Sequence, residues 1–352
     1  MAKVPTDVCV GGGGPAGLLL GLLLAKRGAH VIVLEAHVPE YPFAIWMPQP
    51  IFLGALVKKA QPFPSFQCWM GAKVTELIDE GGRVVGVSGL RHGKEPFEVR
   101  ADVVVGADGR HSLVRRLGHF AIEYERHDFD VVWFVVEQPA DWPNTMSFSL
   151  GGEVQCLMLP KYPHHIQAGI ILPKGEWRRW RDAGIGAAAD RVRRLDPVFA
   201  AFAESLHDFT PFFPLEALIR LVKDWARDGL LLIGDAAHTM SPAGAIGVNV
   251  ALATAAVAAQ TLYPLLGHGP IGRTDLGRVQ ELRERDVRTL HRFQFEAQRV
   301  LLAQSGRNAL VRWLLPKVLP LLLHSPFLPR VQRRLFLGAP LPPLDPAFSF
   351  RS

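Results

Sequence analysis

Four short runs of consecutive apolar residues punctuate the chain: Val8–Val10 behind Asp7, Val31–Leu34 ahead of Glu35, Val103–Val105 within Ala101–Gly106, and Leu230–Ile233 leading into Gly234. Runs this short without polar alternation predict strands covered on both faces, as in a parallel sheet. Between the first two runs, Pro15–Arg27 reads as a helix stopped at Gly28. Strand, turn, helix and strand thus follow within about 30 residues, the length of a βαβ unit with its right-handed crossover.

Elsewhere the pattern changes. Phe129–Val136 and Val154–Leu172 are strand-like, bounded by Pro, Gly and Asn, and predict an antiparallel sheet in a separate lobe. Ala187–Leu206 is helical in composition, and Val250–Leu262 predicts a helix of small residues able to pack closely on a sheet. Leu276–Gln304 predicts a long amphipathic helix with Val279, Leu282, Leu290, Phe293, Ala297 and Val300 on its apolar side. The pairs Glu281/Arg285 and Glu284/Arg288 support it at i,i+4 spacing. The expected fold is therefore α/β. A Rossmann-like parallel-sheet domain is split between residues 1–120 and 221–275, an antiparallel substrate lobe occupies 121–220, and a helical region covers 276–352.

With 352 residues, 49% hydrophobic and 20% charged, the chain is core-forming and excludes disordered and fibrous classes. Its three cysteines, Cys9, Cys68 and Cys156, are too few and too scattered for a disulfide framework or a four-thiolate zinc site. A reducing, cytoplasmic setting is the corresponding expectation. The uncharged run Val8–Ala25 is broken by four glycines and Pro15, so it reads as neither a membrane span nor a signal peptide. The net charge of +6 is uneven: from Arg273 onward fourteen basic residues face six acidic ones, leaving residues 1–272 at −2.

Three segments carry chemistry. Gly12-Gly13-Gly14-Pro15-Ala16-Gly17 fits G-x-G-x-x-G between a strand and a helix, where glycines permit a tight turn and close backbone approach to a pyrophosphate. The helix N-terminus favours the phosphates' negative charge, and Glu35, eighteen positions on, suits a ribose diol. Val103–Ser112 (VVVGADGRHS) is a strand running into an Asp108-Gly109 turn ahead of Arg115 and Arg116; alone it reads as a surface turn with a solvated basic helix. Gly234–Asn249 (GDAAHTMSPAGAIGVN) is a strand end, an acid, a Pro/Gly loop and a helix N-terminus. That order suits a polar chain followed by an anion-stabilising contact with a ring.

In this order and spacing, the three segments resemble the FAD-dependent aromatic hydroxylases, single-component flavoprotein monooxygenases of the para-hydroxybenzoate hydroxylase type. The resemblance spans most of residues 1–260. It implies that Gly12, Gly14, Pro15, Ala16, Gly17 and Glu35 hold the ADP half of FAD, with Val74 against the adenine and Gln49, at a helix start, touching the cofactor. It implies further that Asp108 shapes a turn linked with FAD and NAD(P)H, that Asp235 binds the ribityl hydroxyls, and that Pro242, Gly247, Val248 and Asn249 border the isoalloxazine. The implied chemistry is reduction of the flavin by NAD(P)H, addition of O2 to give a flavin hydroperoxide, and transfer of its distal oxygen to a substrate. No side chain is singled out as a catalytic acid or base, and His238 reads as a brace for the loop.

The sequence departs from that pattern in places. The interval after Glu35 is several dozen residues shorter than usual, Ala245-Ile246 replaces a small-polar pair, and Thr254 stands where an Asp is common. Trp133, Phe134, Met158, Phe212 and Phe213 could wall a hydrophobic, aromatic or polyketide-like substrate, or be core. No W-x-W-x-I-P halogenase motif occurs. The tail Leu310–Leu337, with Leu runs, five basic residues and four prolines, suits peripheral membrane contact or packing on protein, leaving oligomerisation open. No nucleic-acid-binding module or metal-ligand cluster is recognisable. The leading expectation is an FAD- and NAD(P)H-dependent monooxygenase that hydroxylates or epoxidises its substrate. A reductase or dehydrogenase on the same fold, and a catalytically silent flavin- or ligand-binding protein, remain the alternatives.

Overall fold

A computed structural model describes residues 3–11, 15–35, 44–45, 47–142, 147–149, 155–161, 163–242 and 246–305. In chain order, the first half comprises β1 (Lys3–Gly11), α1 (Pro15–Lys26), β2 (Val31–Glu35), α2 (Gln49–Ala60), β3 (Phe66–Met70), β4 (Ala72–Glu80), β5 (Arg83–Arg91), β6 (Glu95–Gly106) and α3 (Leu113–Leu117). The second lobe is β7 (Ile122–Glu137), β8 (Ser147–Ser149), β9 (Gln155–Lys161), β10 (His165–Pro173), α4 (Glu176–Asp182), α5 (Ile185–Leu195), α6 (Ala200–Glu204) and β11 (Phe213–Val222). The chain then returns through β12 (Ala226–Arg227), β13 (Leu230–Leu232), β14 (His238–Thr239), α7 (Gly247–Leu262) and α8 (Arg273–Ser305).

The four apolar runs become neighbouring strands. The first sheet runs β12-β13-β6-β1-β2-β3, with β5 and β4 attached through β6. The pairs β1/β2, β1/β6, β13/β6 and β2/β3 are parallel. Alternate side chains enter separate cores, which is why the runs lack polar positions. Val8, Val10, Val31, Val33, Val103 and Val105 pack with α1 and the alanines of α7. Cys9, Ile32, Val104, Leu230 and Leu232 join Trp225, Val99 and Val87 on the opposite face.

The second sheet, β8-β9-β10-β7-β11-β14, is antiparallel throughout. One face is sealed by α4–α6 through Phe134, Met158, Leu172, Trp177, Phe199 and Phe212. Phe129, Val131, Ile171 and Ala217 form a smaller cluster with half-buried Trp133. Of the five candidate wall residues, Phe134, Met158 and Phe212 are thus core. Trp133 and the partly exposed Phe213, directly opposite in register, lie away from that core.

The long C-terminal helix corrects its expected apolar side. Leu282 and Phe293 are exposed, at 52% and 39%. The buried stripe is instead Leu276, Val279, Arg283, Val287, Leu290, His291, Gln294 and Gln298. Helical spacing generated both stripes; within the buried one, His291 and Gln294 meet backbone groups of residues 239 and 241. The Glu284/Arg288 pair forms, and Arg288 also reaches Glu123 on β7. The tail beyond residue 305 lies outside the described residues.

Candidate cofactor site

The C-terminal ends of four strands come level. Gly11 is in register with Leu34 and Gly106, and Gly106 with Leu232. This is the edge of a parallel sheet where ligands bind. Of the glycine-rich turn, Gly12 and Gly14 lie outside the described residues, while Pro15, Ala16 and Gly17 open α1. Glu35 ends β2 and Gln49 starts α2. Val74 is buried on β4 in the core beneath the sheet.

Gly234 begins a tight turn, Gly234–Ala236, with φ +56°. A Cβ there would lie 3.2 Å from the Ala16 methyl of α1 and 3.5 Å from the Ala251 methyl of α7. The missing side chain therefore lets the Asp235 turn press against both helices. Asp235 is half-buried, and its carboxylate makes no hydrogen bond among the described residues. Burial raises its pKa, and the charge of Arg110 opposes that rise. Such a carboxylate, held where the strand ends converge, fits a ligand that presents hydroxyl donors.

The segment after Asp235 is clamped from two sides. Arg115 of α3 donates to the Ala236 carbonyl at 3.1 Å and also to the Arg110 carbonyl. Its pKa is lowered to about 10 by burial and neighbouring arginines, so it keeps its charge at neutral pH. From α8, His291 Nε2 donates to the Thr239 carbonyl at 3.1 Å. Gln294 accepts from the Ser241 N–H at 3.0 Å and donates to the Ser241 carbonyl at 2.9 Å. Because the Nε2 partner is a carbonyl, Nδ1 of His291 carries the lone pair and accepts from the Tyr124 hydroxyl at 2.8 Å. Burial lowers the His291 pKa to about 4, keeping the ring neutral as this relay requires.

His238 is a brace, as the sequence suggested. Thr254 Oγ1 donates to the Val250 carbonyl, so it accepts from His238 Nε2 at 3.0 Å. The ring packs 4.8 Å from that of Trp225, and burial lowers its pKa to about 3. Thr254 thus caps a neutral imidazole.

Asp108 turns inward. Its carboxylate accepts from the Ser112 hydroxyl and from the N–H groups of Leu113 (2.7 Å) and Val114 (3.1 Å), closing the turn onto α3. Arg110 next to it donates to the Glu216 carbonyl of β11, tying the turn to the second sheet. Pro242 is half-buried ahead of α7. Gly247, Val248 and Asn249 form the first turn of that helix, which has no side-chain N-cap bond. Its leading N–H groups can therefore meet an anionic ligand.

The sequence reading gave Arg115 only as part of a basic helix and missed Tyr124, His291 and Gln294. For His291 and Gln294 the signal was the spacing of polar residues on α8, indistinguishable in sequence from a solvated face.

The profile of the FAD binding domain family matches residues 5–44 and 37–270. A 6-methylpretetramide 4-monooxygenase from Streptomyces rimosus is 31% identical over 394 positions, covering 95% of this chain and 92% of the relative. That alignment is longer than the 352 residues of this chain, so the relative has additional segments, and the two-part profile match breaks just after Glu35. Among solved structures, a flavin-dependent brominase superposes with TM-score 0.73 at 16% identity, covering 98% of this chain and 96% of that one. An anhydrotetracycline hydroxylase from Streptomyces rimosus superposes with TM-score 0.72 at 19% identity, covering 95% and 76%. These two likenesses establish the fold. Together with the clamped Asp235 turn and the strand edge it faces, the profile and the full-length relative place this chain in the FAD binding domain family, as an FAD-dependent monooxygenase of the para-hydroxybenzoate hydroxylase type.

Proposed function

We propose that this enzyme hydroxylates or epoxidises a hydrophobic, aromatic or polyketide-like small molecule, with NAD(P)H as electron source and O2 as oxidant. For hydroxylation, the balance is substrate C–H, O2, NAD(P)H and a proton giving C–OH, water and NAD(P)+. The observation that carries the reading is the Asp235 carboxylate, without a hydrogen bond among the described residues, on a turn fixed by Arg115, His291 and Gln294. The full-length likeness to a polyketide monooxygenase supports the substrate class.

Gly12, Gly14, Pro15, Ala16 and Gly17 would hold the pyrophosphate, Glu35 the adenosine ribose and Asp235 the ribityl chain. Val74 and Gln49 would meet the adenine half. Asp108 would keep its turn in shape beside the cofactor. Pro242, Gly247, Val248 and Asn249 would border the ring, the start of α7 stabilising negative charge on it. Bound there, the flavin supplies the electrons that activate O2. The protein orients the substrate and excludes water.

The face of the second sheet away from α4–α6 would supply the substrate wall. Trp133 lies across Gly169, where a Cβ would come within 2.7 Å of the indole, and Phe213 is beside it in register. Gly169→Ala should lift the indole and raise the KM for substrate about tenfold, equivalent to about 1.4 kcal/mol, while leaving the FAD Kd unchanged. An unchanged KM would remove Trp133 from the wall.

The direct test is the visible spectrum of the flavin-reconstituted protein, followed anaerobically on adding NADPH or NADH, then with 18O2 and 6-methylpretetramide. Bleaching followed by label in the product is expected. Product formed without O2 would establish a reductase instead, and a flavin that never bleaches with ligand present would establish a silent protein.

A further inference from the structure

The clamp on the loop does not begin on α8. His291 takes its second bond from Tyr124, which stands on β7 in the second sheet. The Tyr124 hydroxyl, the imidazole and the Thr239 carbonyl therefore form one line of hydrogen bonds. Thr239 extends the line, because its own hydroxyl donates to the Asp235 carbonyl at 2.8 Å. His291 and Thr239 are fully buried and Tyr124 is half-buried. Burial pushes the Tyr124 pKa up to about 12, so the hydroxyl keeps the proton it donates. Four residues thus lead from a strand of the second lobe to the turn that carries the Asp235 carboxylate.

Both ends of the line are fastened. Glu123, beside Tyr124, accepts from Arg288 of α8 at 2.7 Å. The Tyr124 ring packs against those of His291 and Phe295, with centroids 5.7 and 5.9 Å away, and the Arg126 guanidinium lies 5.5 Å over Phe295. At the other end, Gln294 holds both backbone groups of Ser241, which is buried, and Pro242 follows directly. Packing alone would fill this space with apolar side chains. A line of buried hydrogen bonds adds direction, since a carbonyl that loses its donor there turns to find another.

We propose that Tyr124 and His291 are positioning residues for the flavin, fixing the Asp235 turn and the Pro242 loop so that the start of α7 favours the reduced, negatively charged ring. This rests on the placement of Pro242, Gly247, Val248 and Asn249 at the ring, and it makes a strand of the second lobe part of the flavin's electrostatic surroundings. Two electrons and one proton leave the ring with one negative charge. A helix N-terminus separates the two forms most strongly when its N–H groups are held in place beforehand. Both residues act through the Thr239 carbonyl.

The test reads how bound FAD shares electrons with a dye of known potential. FAD-loaded wild type, Tyr124→Phe, His291→Leu, His291→Gln and Asn249→Asp are reduced stepwise with dithionite under argon, and the two-electron equilibrium constant is taken from the two absorbance bands. Tyr124→Phe and His291→Leu should lower that constant about tenfold, equivalent to about 30 mV. His291→Gln, whose side-chain N–H can reach the same carbonyl, should stay within threefold of wild type. Asn249→Asp, which sets a carboxylate on the first turn of α7, should lower the constant as well. Wild-type constants in both Tyr124→Phe and His291→Leu overturn the proposal, and a shift in Asn249→Asp alone leaves the ring placement standing. An unmoved Asn249→Asp removes the ring from the start of α7 and the proposal with it. His291→Gln shifted as far as His291→Leu overturns action through the carbonyl, and a lower melting temperature with an unmoved constant assigns both residues to stability instead. Turnover enters none of these readings, so a failure of oxygen transfer would strike the proposed activity alone.

Discussion

Acidification from pH 6.5 to pH 4 should strip this protein of much of its stability. His238 and His291 are buried neutral, with pKa values lowered to about 3 and about 4 from an ordinary 6.5. In the unfolded chain both rings protonate near pH 6.5. Between that value and the folded ones the unfolded state binds more protons, so stability falls as pH falls and is fully present only above about pH 6.5. Each ring contributes on the order of 3 kcal/mol, against a total stability of about 5–15 kcal/mol for an ordinary domain. Glu123, whose pKa is lowered by its hydrogen bond to Arg288, adds to the loss at still lower pH. The raised Asp235 and Asp102 act in the opposite sense. Denaturant midpoints measured by circular dichroism across this range should drop steeply below pH 6.5. His291→Gln should flatten the slope. A midpoint flat down to pH 4 would mean that these imidazoles accept protons without unfolding the clamp.

The same two rings show what the sequence could reveal. The βαβ unit was legible, β2 to the residue, because both faces of its sheet are covered and β2 had no polar position to blur it, whereas β1 already starts at Lys3, ahead of its apolar run. Asp235 and the start of α7 were legible because a strand end, an acid and a Pro/Gly loop leave few conformations open. The clamp was not legible. Whether His291 and Gln294 face solvent or backbone depends on what packs against α8 from more than fifty positions away, and helical spacing alone carries no such information. For the same reason Leu282 and Phe293 seemed to mark the buried side. The second lobe falls between these cases. Strand content predicted the sheet, but α4–α6, which seal one face, separate Phe134 and Phe212 from Trp133 and Phe213 in a way that only register settles.

Asp108→Ala should cost about 3–5 kcal/mol of stability in the cofactor-free protein. The resemblance to the hydroxylases places this residue in a turn linked to the cofactor, and the structure shows what its carboxylate does there: it holds the Ser112 hydroxyl and the N–H groups of Leu113 and Val114. Alanine leaves all three donors without that acceptor at the start of a helix only five residues long, whose remaining ties are the Ser112 cap, buried Val114 and the bonds of Arg115. The damage travels further, because this helix carries Arg115, and Arg115 holds the carbonyl of Ala236 next to Asp235. FAD affinity should therefore fall more than tenfold, although the carboxylate is spent on its own helix. Asp108→Asn, which keeps one acceptor oxygen, should lose about half as much stability. Urea unfolding without FAD, set beside flavin titration, separates the two roles. If Asp108→Ala unfolds like wild type and loses only FAD binding, the residue is a cofactor ligand; if both fall together, the turn acts on the cofactor through the helix it caps and the arginine that helix presents.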